Sequence, residues 1–195
     1  IGASHNPGKV GSLVVANLLS AGYTGRIFPV NPSGGEILGI EAKTSISELP
    51  QGLDLAVICV PRTKVLPALK ELAAIGTKAV IVITAGFKEV GRKGWYMEEE
   101  AAQLCAENGM AMLGPNCLGL VNTSQGLNAT FAASTPEAGN IAFFSQSGAL
   151  CIAILDAAVG KGVGFSKFVS LGNKAQIDET AMLDYLKDDP ETKVI

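Results

Sequence analysis

Residues 53–84 read LDLAVICVPRTKVLPALKELAAIGTKAVIVIT, and the fold class follows from this stretch. Its two ends, residues 53–60 and 79–84, are short runs rich in Val and Ile, as strands buried on both faces are. Between them, residues 63–75 carry apolar side chains at the i, i+3 and i+4 spacing of a helix. A strand, a helix and a second strand in this order predict a parallel β-α-β unit, and hence an α/β fold.

The same alternation runs along most of the chain. Further strands are predicted at residues 26–30, 111–113, 140–144 and 164–169, and further helices at residues 9–21, 93–108 and 149–159. Gly76 and Gly109 directly follow two of the helices, where C-terminal caps are expected. A polar stretch, residues 123–139, shows only a weak strand near 127–131. We therefore predict a first domain at residues 1–125, then a connection and the start of a second α/β domain at residues 126–195.

Composition excludes several classes of function. Only 17% of the 195 residues are charged, the net charge is −3, and no run of Lys or Arg exceeds two, so nucleic acid is not a predicted partner. The longest apolar runs, residues 55–61 and 79–87, are shorter than the roughly 20 residues of a membrane span, so no membrane contact is predicted. Four cysteines without a CxxC pair, and a single histidine, argue against a zinc site. Cys59 and Cys151 lie in apolar runs, which indicates reduced thiols in a cytoplasmic protein.

The two ends of the chain suggest a piece of a longer protein. It begins at Ile1 without a methionine, and Val194 and Ile195 resemble the opening of a strand. The second predicted domain has two or three strands, which is too few to close a core alone. We expect its apolar face to meet further parts of the protein.

The opening loop is the first candidate binding site. GASHNPGKVG, residues 2–11, precedes an amphipathic helix, and a loop leading into a helix N-terminus favours a phosphate. The loop departs from the G-x-G-x-x-G pattern, and the next predicted strand ends in Asn31-Pro32 rather than in an acidic residue, which argues against NAD. His5 has no carboxylate near it in sequence and is interpreted as a loop residue. Lys9 either pairs with a phosphate or is solvated; the sequence leaves both open.

Other candidate segments follow the predicted strands, where ligands of open α/β sheets bind. They are Val60-Pro61-Arg62, Thr84-Ala85-Gly86-Phe87 and GPNCLG at residues 114–119. Cys117 is interpreted as a buried thiol, because no base is identifiable to activate it. Ser147 or Ser145 is the N-cap of the next helix, or this helix N-terminus is a second anion site; the sequence leaves both open. Serine hydrolysis is excluded, because Gln-Ser-Gly lacks the G-x-S-x-G frame and no histidine follows.

Taken together, these segments resemble one family in order and over nearly the whole chain. The family is the NDP-forming acyl-CoA synthetases, in particular the α-type segment of the ADP-forming acetate–CoA ligases, which are related to the succinyl-CoA synthetase α subunit. The matching blocks are IGASHNPGKVG (1–11), FPVNP (28–32), DLAVICVP (54–61), VIVITAGFKE (80–89), GPNCLGLVN (114–122), LNATF (127–131), GNIAFFSQSGAL (139–150) and GFSKFVSLGN (164–173).

This resemblance implies a Rossmann-like CoA-binding domain with a parallel sheet, followed by the start of a flavodoxin-like domain. It also implies that acyl-CoA, ADP and phosphate are interconverted with an acid, CoA and ATP through an acyl phosphate and a phosphohistidine. The implied CoA-binding residues are Gly2, Ser4, Lys9, Val10, Asn31, Pro32, Val60, Pro61, Thr84, Ala85, Gly86, Phe87 and Asn116. Ser147, Gly148 and Ala149 would present a helix N-terminus to the phosphorylated histidine.

The resemblance further implies what lies outside these residues. The phosphorylated histidine would follow residue 195, so no catalytic residue and no metal ligand is predicted here, and this segment alone is expected to be inactive. The first strand would lie mostly ahead of Ile1. The implied partners are CoA, a small carboxylic acid, and the remaining ligase and nucleotide-grasp domains or subunit, in a homo-oligomer. ATP, ADP and Mg²⁺ would bind in the full-length protein only.

Two other functions compete with the ligase. The first is a CoA-sensing regulatory domain of a lysine acetyltransferase that lacks ligase activity; a histidine in a Ser-His-Thr-Gly-like turn past residue 195 would favour the ligase instead. The second is an NAD(P)-dependent oxidoreductase. Asn31-Pro32 and the lack of a placed acid–base pair disfavour it.

Overall fold

Five helices and nine strands form the fold, and the computed structural model describes all of residues 1–195. The helices are α1 (Val10–Ser20), α2 (Arg62–Ala74), α3 (Arg92–Glu107), α4 (Gly148–Val159) and α5 (Glu179–Leu186). The strands are β1 (Glu36–Ile37), β2 (Ile40–Glu41), β3 (Ala56–Ile58), β4 (Ala79–Val82), β5 (Ala111–Leu113), β6 (Gly119–Asn122), β7 (Leu127–Thr130), β8 (Ala138–Ser145) and β9 (Phe165–Ser170). No helix is long and apolar enough to cross a membrane.

The first sheet is parallel, in the order β3-β4-β5, which confirms the predicted α/β fold. Successive side chains of its central strand, β4, point to opposite faces of the sheet, and both faces are buried. Val80 and Val82 pack into one core with residues of α2 and α3, whereas Ile81 and Ile83 pack into another. The continuous apolar run of the sequence therefore reflects two cores, one on each face of the sheet.

The first residues of the chain extend this sheet. The amino group of Ile1 donates to the Val57 oxygen at 2.6 Å, and the Cys59 N–H donates to the Ile1 oxygen at 2.9 Å. On the other side, the Gly2 N–H donates to the Val30 oxygen at 3.0 Å. Ile1 and Gly2 therefore lie between Val30 and β3.

The strand predicted at residues 26–30 is wrong as a regular strand. Only Val30 forms a bridge, to Lys43, and the rest of the run is irregular. Pro29 lies inside the run and has no N–H to donate, which disfavours a ladder there. The hairpin β1–β2 follows instead, with two residues in each strand.

The second sheet is mixed, in the order β7-β6-β9-β8. Strand β6 is antiparallel to both β7 and β9, and only β8 and β9 run parallel. The predicted domain boundary at residue 125 falls between β6 and β7, which are paired in this sheet, so the division into residues 1–125 and 126–195 stays a prediction. One core joins Ile81 and Leu113 of the first sheet to Val169 of the second.

Helix ends follow the sequence closely. Gly76 and Gly109, which follow the C-cap residues of α2 and α3, adopt positive φ angles of 70° and 66°. The next N–H groups turn back, from Thr77 to the Leu72 oxygen at 3.1 Å and from Met110 to the Cys105 oxygen at 2.9 Å. Both are Schellman caps, as the glycine positions predicted.

Candidate functional site

The loop from Gly2 to Lys9 leads directly into α1. Its shape is fixed by short-range bonds: the Asn6 N–H donates to Ser4 Oγ at 3.1 Å, and the Gly8 N–H donates to Asn6 Oδ1 at 2.9 Å. Lys9 is the N-cap, and its side chain makes no capping bond. The N–H groups of Val10 and Gly11 have no acceptor within the protein. Two unpaired donors therefore lie at the positive end of the helix dipole, an arrangement that suits an anion.

Two glycines allow this loop to pack tightly against its neighbours. Gly2 has φ +85°, and a Cβ there would lie 2.9 Å from Cγ1 of Val60. A Cβ on Gly11 would lie 2.1 Å from the oxygen of Gly2. The start of α1 thus lies against the loop backbone at a distance that only glycine permits.

Asn31 supports this loop from the side. Its Nδ2 donates to the Ala3 oxygen at 2.7 Å, and its Oδ1 accepts from the Ser33 N–H at 2.8 Å. Pro32 is exposed beside it. The side chain of Asn31 therefore holds two loops together, a structural role that the sequence did not reveal.

The ends of the first sheet's strands are joined to each other. Thr84 Oγ1 donates to the Val60 oxygen at 2.6 Å, and the Asn116 N–H donates to the Thr84 oxygen at 3.0 Å. Arg62 Nη1 donates to the Gly86 oxygen at 2.7 Å. The segments 60–62, 84–87 and 114–117, singled out in the sequence, therefore form one edge, which also contains Gly2.

Exposure differs among the residues of this edge. Pro61 and Ala85 are exposed, whereas the side chain of Phe87 is completely buried in the core formed with α2 and α3. Only the backbone of Phe87 could therefore contact a ligand.

A polar cluster with a buried centre lies behind this edge, and the sequence did not predict it. It consists of Lys88, Glu89, Glu98, Asn116 and Asn173. Glu98 is only 1% exposed and Asn173 4%. Lys88 Nζ lies 2.9 Å from Glu98 Oε1, and it also donates to the backbone oxygen of Asn173.

The two asparagines connect the cluster to the loops of this edge. Asn173 Nδ2 donates to Glu89 Oε2 at 2.6 Å and to Glu98 Oε2 at 2.8 Å. Asn116 Nδ2 donates to Asn173 Oδ1 at 3.2 Å. Burial raises the pKa of Glu89, but hydrogen bonds from Asn173 and from backbone N–H groups outweigh it, so that the pKa is lowered on balance. Glu89 is therefore held as an acceptor.

The remaining reactive side chains are inert or isolated. Burial raises the pKa of the Cys117 thiol to about 12, and its Sγ lies 3.5 Å from the Val82 oxygen, so it is the buried thiol expected from the sequence. His5 is exposed and forms no ion pair with a carboxylate. No three His, Cys, Asp or Glu side chains come close enough to hold a metal ion.

The second helix N-terminus, at α4, is capped by Ser147. Its Oγ accepts from the Leu150 N–H at 3.3 Å, as predicted for an N-cap. The N–H groups of Gly148 and Ala149 have no acceptor within the protein. Residues 147–149 follow strand β8 of the second sheet, and no hydrogen bond joins them to the opening loop.

Comparison with known families shows to which family the chain belongs. A family described as CoA binding domain matches residues 1–123, which include both the opening loop and the joined strand ends. The chain belongs to the CoA-binding domain family. A second family, described as succinyl-CoA ligase like flavodoxin domain, matches residues 138–195.

Relatives of this CoA-binding domain carry ligase names. The chain is 45% identical over its full length to acetate–CoA ligase [ADP-forming] I of Archaeoglobus fulgidus, and spans 28% of that protein. It is 43% identical, again over its full length, to the alpha subunit of acetate–CoA ligase [ADP-forming] II of Pyrococcus furiosus, and spans 42% of it. The chain therefore spans less than half the length of either relative.

A solved structure has the same fold. It is the dinucleotide forming acetyl-coenzyme A synthetase 1 of Ca. Korarchaeum cryptofilum, in complex with phosphate and ADP. The two share 43% identity with a TM-score of 0.94, over 98% of this chain and 41% of that one. These similarities confirm the resemblance to NDP-forming acyl-CoA synthetases and the expected order of a Rossmann-like and a flavodoxin-like part.

Proposed function

We propose that this chain binds CoA along the carboxyl ends of its parallel strands and forms the CoA-binding part of an ADP-forming acid–CoA ligase. The observation that carries the proposal is the pair of free N–H groups, of Val10 and Gly11, at the start of an 11-residue helix. The exposed side chain of Lys9, which forms no ion pair, adds a positive charge beside them. CoA carries phosphates, and this arrangement suits a phosphate.

The proposed path of CoA follows the edge described above. Ser4, Lys9 and Val10 face the phosphates next to Gly2, and Asn31-Pro32 lines the nucleotide. Val60, Pro61 and the Thr84–Phe87 turn line the cleft that leads the pantetheine arm towards Asn116. The hydrogen bonds that join Val60 to Thr84, and Thr84 to Asn116, support one continuous surface for this path.

In the longer protein, we propose that acyl-CoA and phosphate form an acyl phosphate and free CoA. The acyl phosphate then phosphorylates a histidine and releases the acid, and the phosphohistidine passes its phosphoryl group to ADP. The free N–H groups of Gly148 and Ala149, beside Ser147, suit the phosphorylated histidine. The identity between this chain and a ligase alpha subunit supports a further subunit or domain as partner.

The nucleotide, the second substrate, the assembly and the location are inferred from the same proposal. ATP or ADP with Mg²⁺, a small carboxylic acid and a homo-oligomeric assembly belong to the full-length ligase. A cytoplasmic location is supported by four free cysteines, since disulfides are rare in that compartment.

Thermal unfolding of the chain with CoA, with NAD and without ligand tests CoA binding. A ligand present at 100 times its dissociation constant adds about 2.7 kcal/mol, which should raise the midpoint by roughly 5–10 °C for a domain of this size. We expect this rise with CoA alone. A rise with NAD alone would instead indicate an oxidoreductase, and no rise with CoA would overturn the proposal.

A matched pair of variants locates the binding. Lys9→Gln removes the positive charge beside the free N–H groups and should reduce the rise produced by CoA. Lys70→Gln removes an exposed charge on α2, away from the loop, and should leave that rise unchanged.

A further inference from the structure

The side-chain amide of Asn173 has only one possible orientation. Its two neighbours on one side, Glu89 and Glu98, are carboxylates, and an ionised carboxylate only accepts hydrogen bonds. The NH₂ group of Asn173 must therefore face both glutamates. Lys88 Nζ lies 2.9 Å from Glu98 Oε1 and pairs with that carboxylate.

This orientation fixes that of Asn116 in turn. Because the NH₂ group of Asn173 is engaged, only its Oδ1 remains for Asn116, and Asn116 must offer its own NH₂ group, at 3.2 Å. Asn116 Oδ1 is then left over. This oxygen has no hydrogen-bond partner within the protein. Thr77 Oγ1 is the sole fully buried side-chain atom without a partner, so Asn116 Oδ1 is not fully buried. An accessible acceptor therefore stands at the edge that contains Thr84.

The backbone makes the position of Asn116 equally definite. It has φ +57°, which Asn tolerates better than most residues, and its N–H is bonded to Thr84. On the other side of the cluster, the Asn173 N–H donates to the Pro115 oxygen at 2.8 Å. The loops that carry the two asparagines are thus locked to each other by backbone as well as side-chain bonds.

We propose that Asn173 is a positioning residue, which acts through Asn116 to present Oδ1 as an acceptor for an amide N–H of the bound ligand. This inference rests on the proposed function, since the pantetheine arm of CoA carries two amide N–H groups. Were the amide of Asn116 free to rotate, its NH₂ group would face the ligand's N–H part of the time, and donor would meet donor.

The test is a double-mutant cycle on CoA affinity, measured by calorimetric titration of the whole chain. The variants are Asn173→Ser, Asn116→Gly and the two combined; glycine at residue 116 keeps the positive φ and removes the amide. Asn116→Gly should lower CoA affinity about tenfold, the typical effect of one lost hydrogen bond. Asn173→Ser should lower it by about two- to fourfold, because the amide of Asn116 then has the competent orientation only part of the time. In the Asn116→Gly background, Asn173→Ser should leave the affinity unchanged, because the group it orients is absent.

A second ligand separates positioning from loss of structure. Adenosine 3′,5′-bisphosphate has the nucleotide phosphates but no pantetheine arm, so its affinity should be the same in all four proteins. Asn128→Ser is the control for stability. Asn128 is fully buried and bonded to Thr130 and Thr135, so its loss should lower the unfolding midpoint without changing CoA affinity.

Should Asn173→Ser not fold, the double variant Glu89→Gln/Glu98→Gln replaces it. Both acceptors of the Asn173 NH₂ group are then amides, which lets Asn173 reverse, so CoA affinity should fall by a few fold, again only when Asn116 is present. Equal losses in both Asn116 backgrounds, or a loss for the bisphosphate too, would show that Asn173 is merely structural. Failure of the unaltered chain to bind CoA would overturn the proposed function itself, and this inference with it.

Discussion

The carbonyl oxygen of Gly2 lies so close to Gly11 that a Cβ atom on residue 11 would approach it to 2.1 Å. Both partners are backbone, which a rotamer change cannot relieve. The first turn of α1 and the opening loop therefore keep their relative position only while residue 11 is glycine. Because the Gly11 N–H is one of the two free donors, this contact also sets where the proposed phosphate site faces.

Gly11→Ala should therefore impair binding as well as stability. Overpacking a close contact costs typically about 1–3 kcal/mol, and the loop must move away from α1 to relieve it. We expect a lower unfolding midpoint and loss of the rise produced by CoA. Gly160→Ala is the matched control, since Gly160 has φ −67° and its nearest atoms would lie 3.8 Å from a Cβ. An unchanged CoA response in Gly11→Ala would contradict the proposed phosphate position.

Ser147→Asp separates capping from anion binding at α4. Asp is as good an N-cap as Ser, and a negative charge at a helix N-terminus stabilises the helix. The fold should therefore be kept, while the added charge repels phosphate from the N–H groups of Gly148 and Ala149. Binding of inorganic phosphate, followed by phosphorus NMR line broadening, should weaken.

The N-cap of α5 provides the control for that variant. Asp178 accepts from the Ala181 N–H at 3.0 Å, and Asp178→Ser keeps a capping oxygen there. Phosphate binding should be unaffected by it. If Ser147→Asp binds phosphate as well as the parent chain, residues 147–149 are a plain helix start.

Four helices and most strands were predicted correctly, whereas the run at residues 26–30 is irregular and several short elements were missed. The first four helices lie within one residue of the predicted bounds, because apolar periodicity over ten or more residues is a strong signal. Strand β6 was missed, because Gly119-Leu120-Val121-Asn122 follows turn residues and has only four positions. Helix α5, which begins after Asp178, was also missed. The pairing of β6 and the packing of α5 depend on tertiary contacts, which a local sequence pattern does not show.

Part of the candidate site was visible in the sequence for a simple reason. Loops after parallel strands meet at one edge, so Val60, Thr84 and Asn116 could be grouped from strand order alone. The polar cluster could not be found in this way. Asn173 is 57 residues from Asn116 and 75 from Glu98, and neither spacing corresponds to a periodicity of helix or strand.

Cys117 should be unreactive in the native chain although it lies in a loop at the candidate site. With a pKa of about 12, only about one thiol in ten thousand is ionised at pH 8, and the thiolate is the reactive form. Modification with iodoacetamide, located by mass spectrometry, should leave Cys117 unmodified until the chain is unfolded in urea. All four cysteines should then react at similar rates. Rapid labelling of Cys117 in the folded chain would reopen its interpretation as a nucleophile.

The buried ion pair of Lys167 and Asp189 should make stability depend on acid pH. The two atoms Lys167 Nζ and Asp189 Oδ2 are 3.2 Å apart, and the side chains are only 6% and 8% exposed. The hydrogen bond from Thr192 lowers the pKa of Asp189 most; burial raises it, and Lys167 lowers it further. A carboxyl whose pKa is lower in the folded state than its ordinary 3.8 stabilises the fold above that value. That contribution is lost as the pH falls through the folded-state pKa.

Asp189→Asn isolates this contribution. Urea unfolding at pH 7 should show a lower midpoint for the variant, because Lys167 then keeps only Glu191 as its charged partner. The difference between the two proteins should shrink below about pH 4, where the unfolded parent chain begins to bind a proton at Asp189, and should vanish once the folded chain is protonated there as well. Asp54→Asn is the control: its pair with Lys78 is largely exposed, so salt and water screen it and the midpoint should hold at both pH values. The difference in midpoint could instead stay constant down to pH 2. Loss of the charge would then not be its cause, and the altered contact of residue 189 with Thr192 would be.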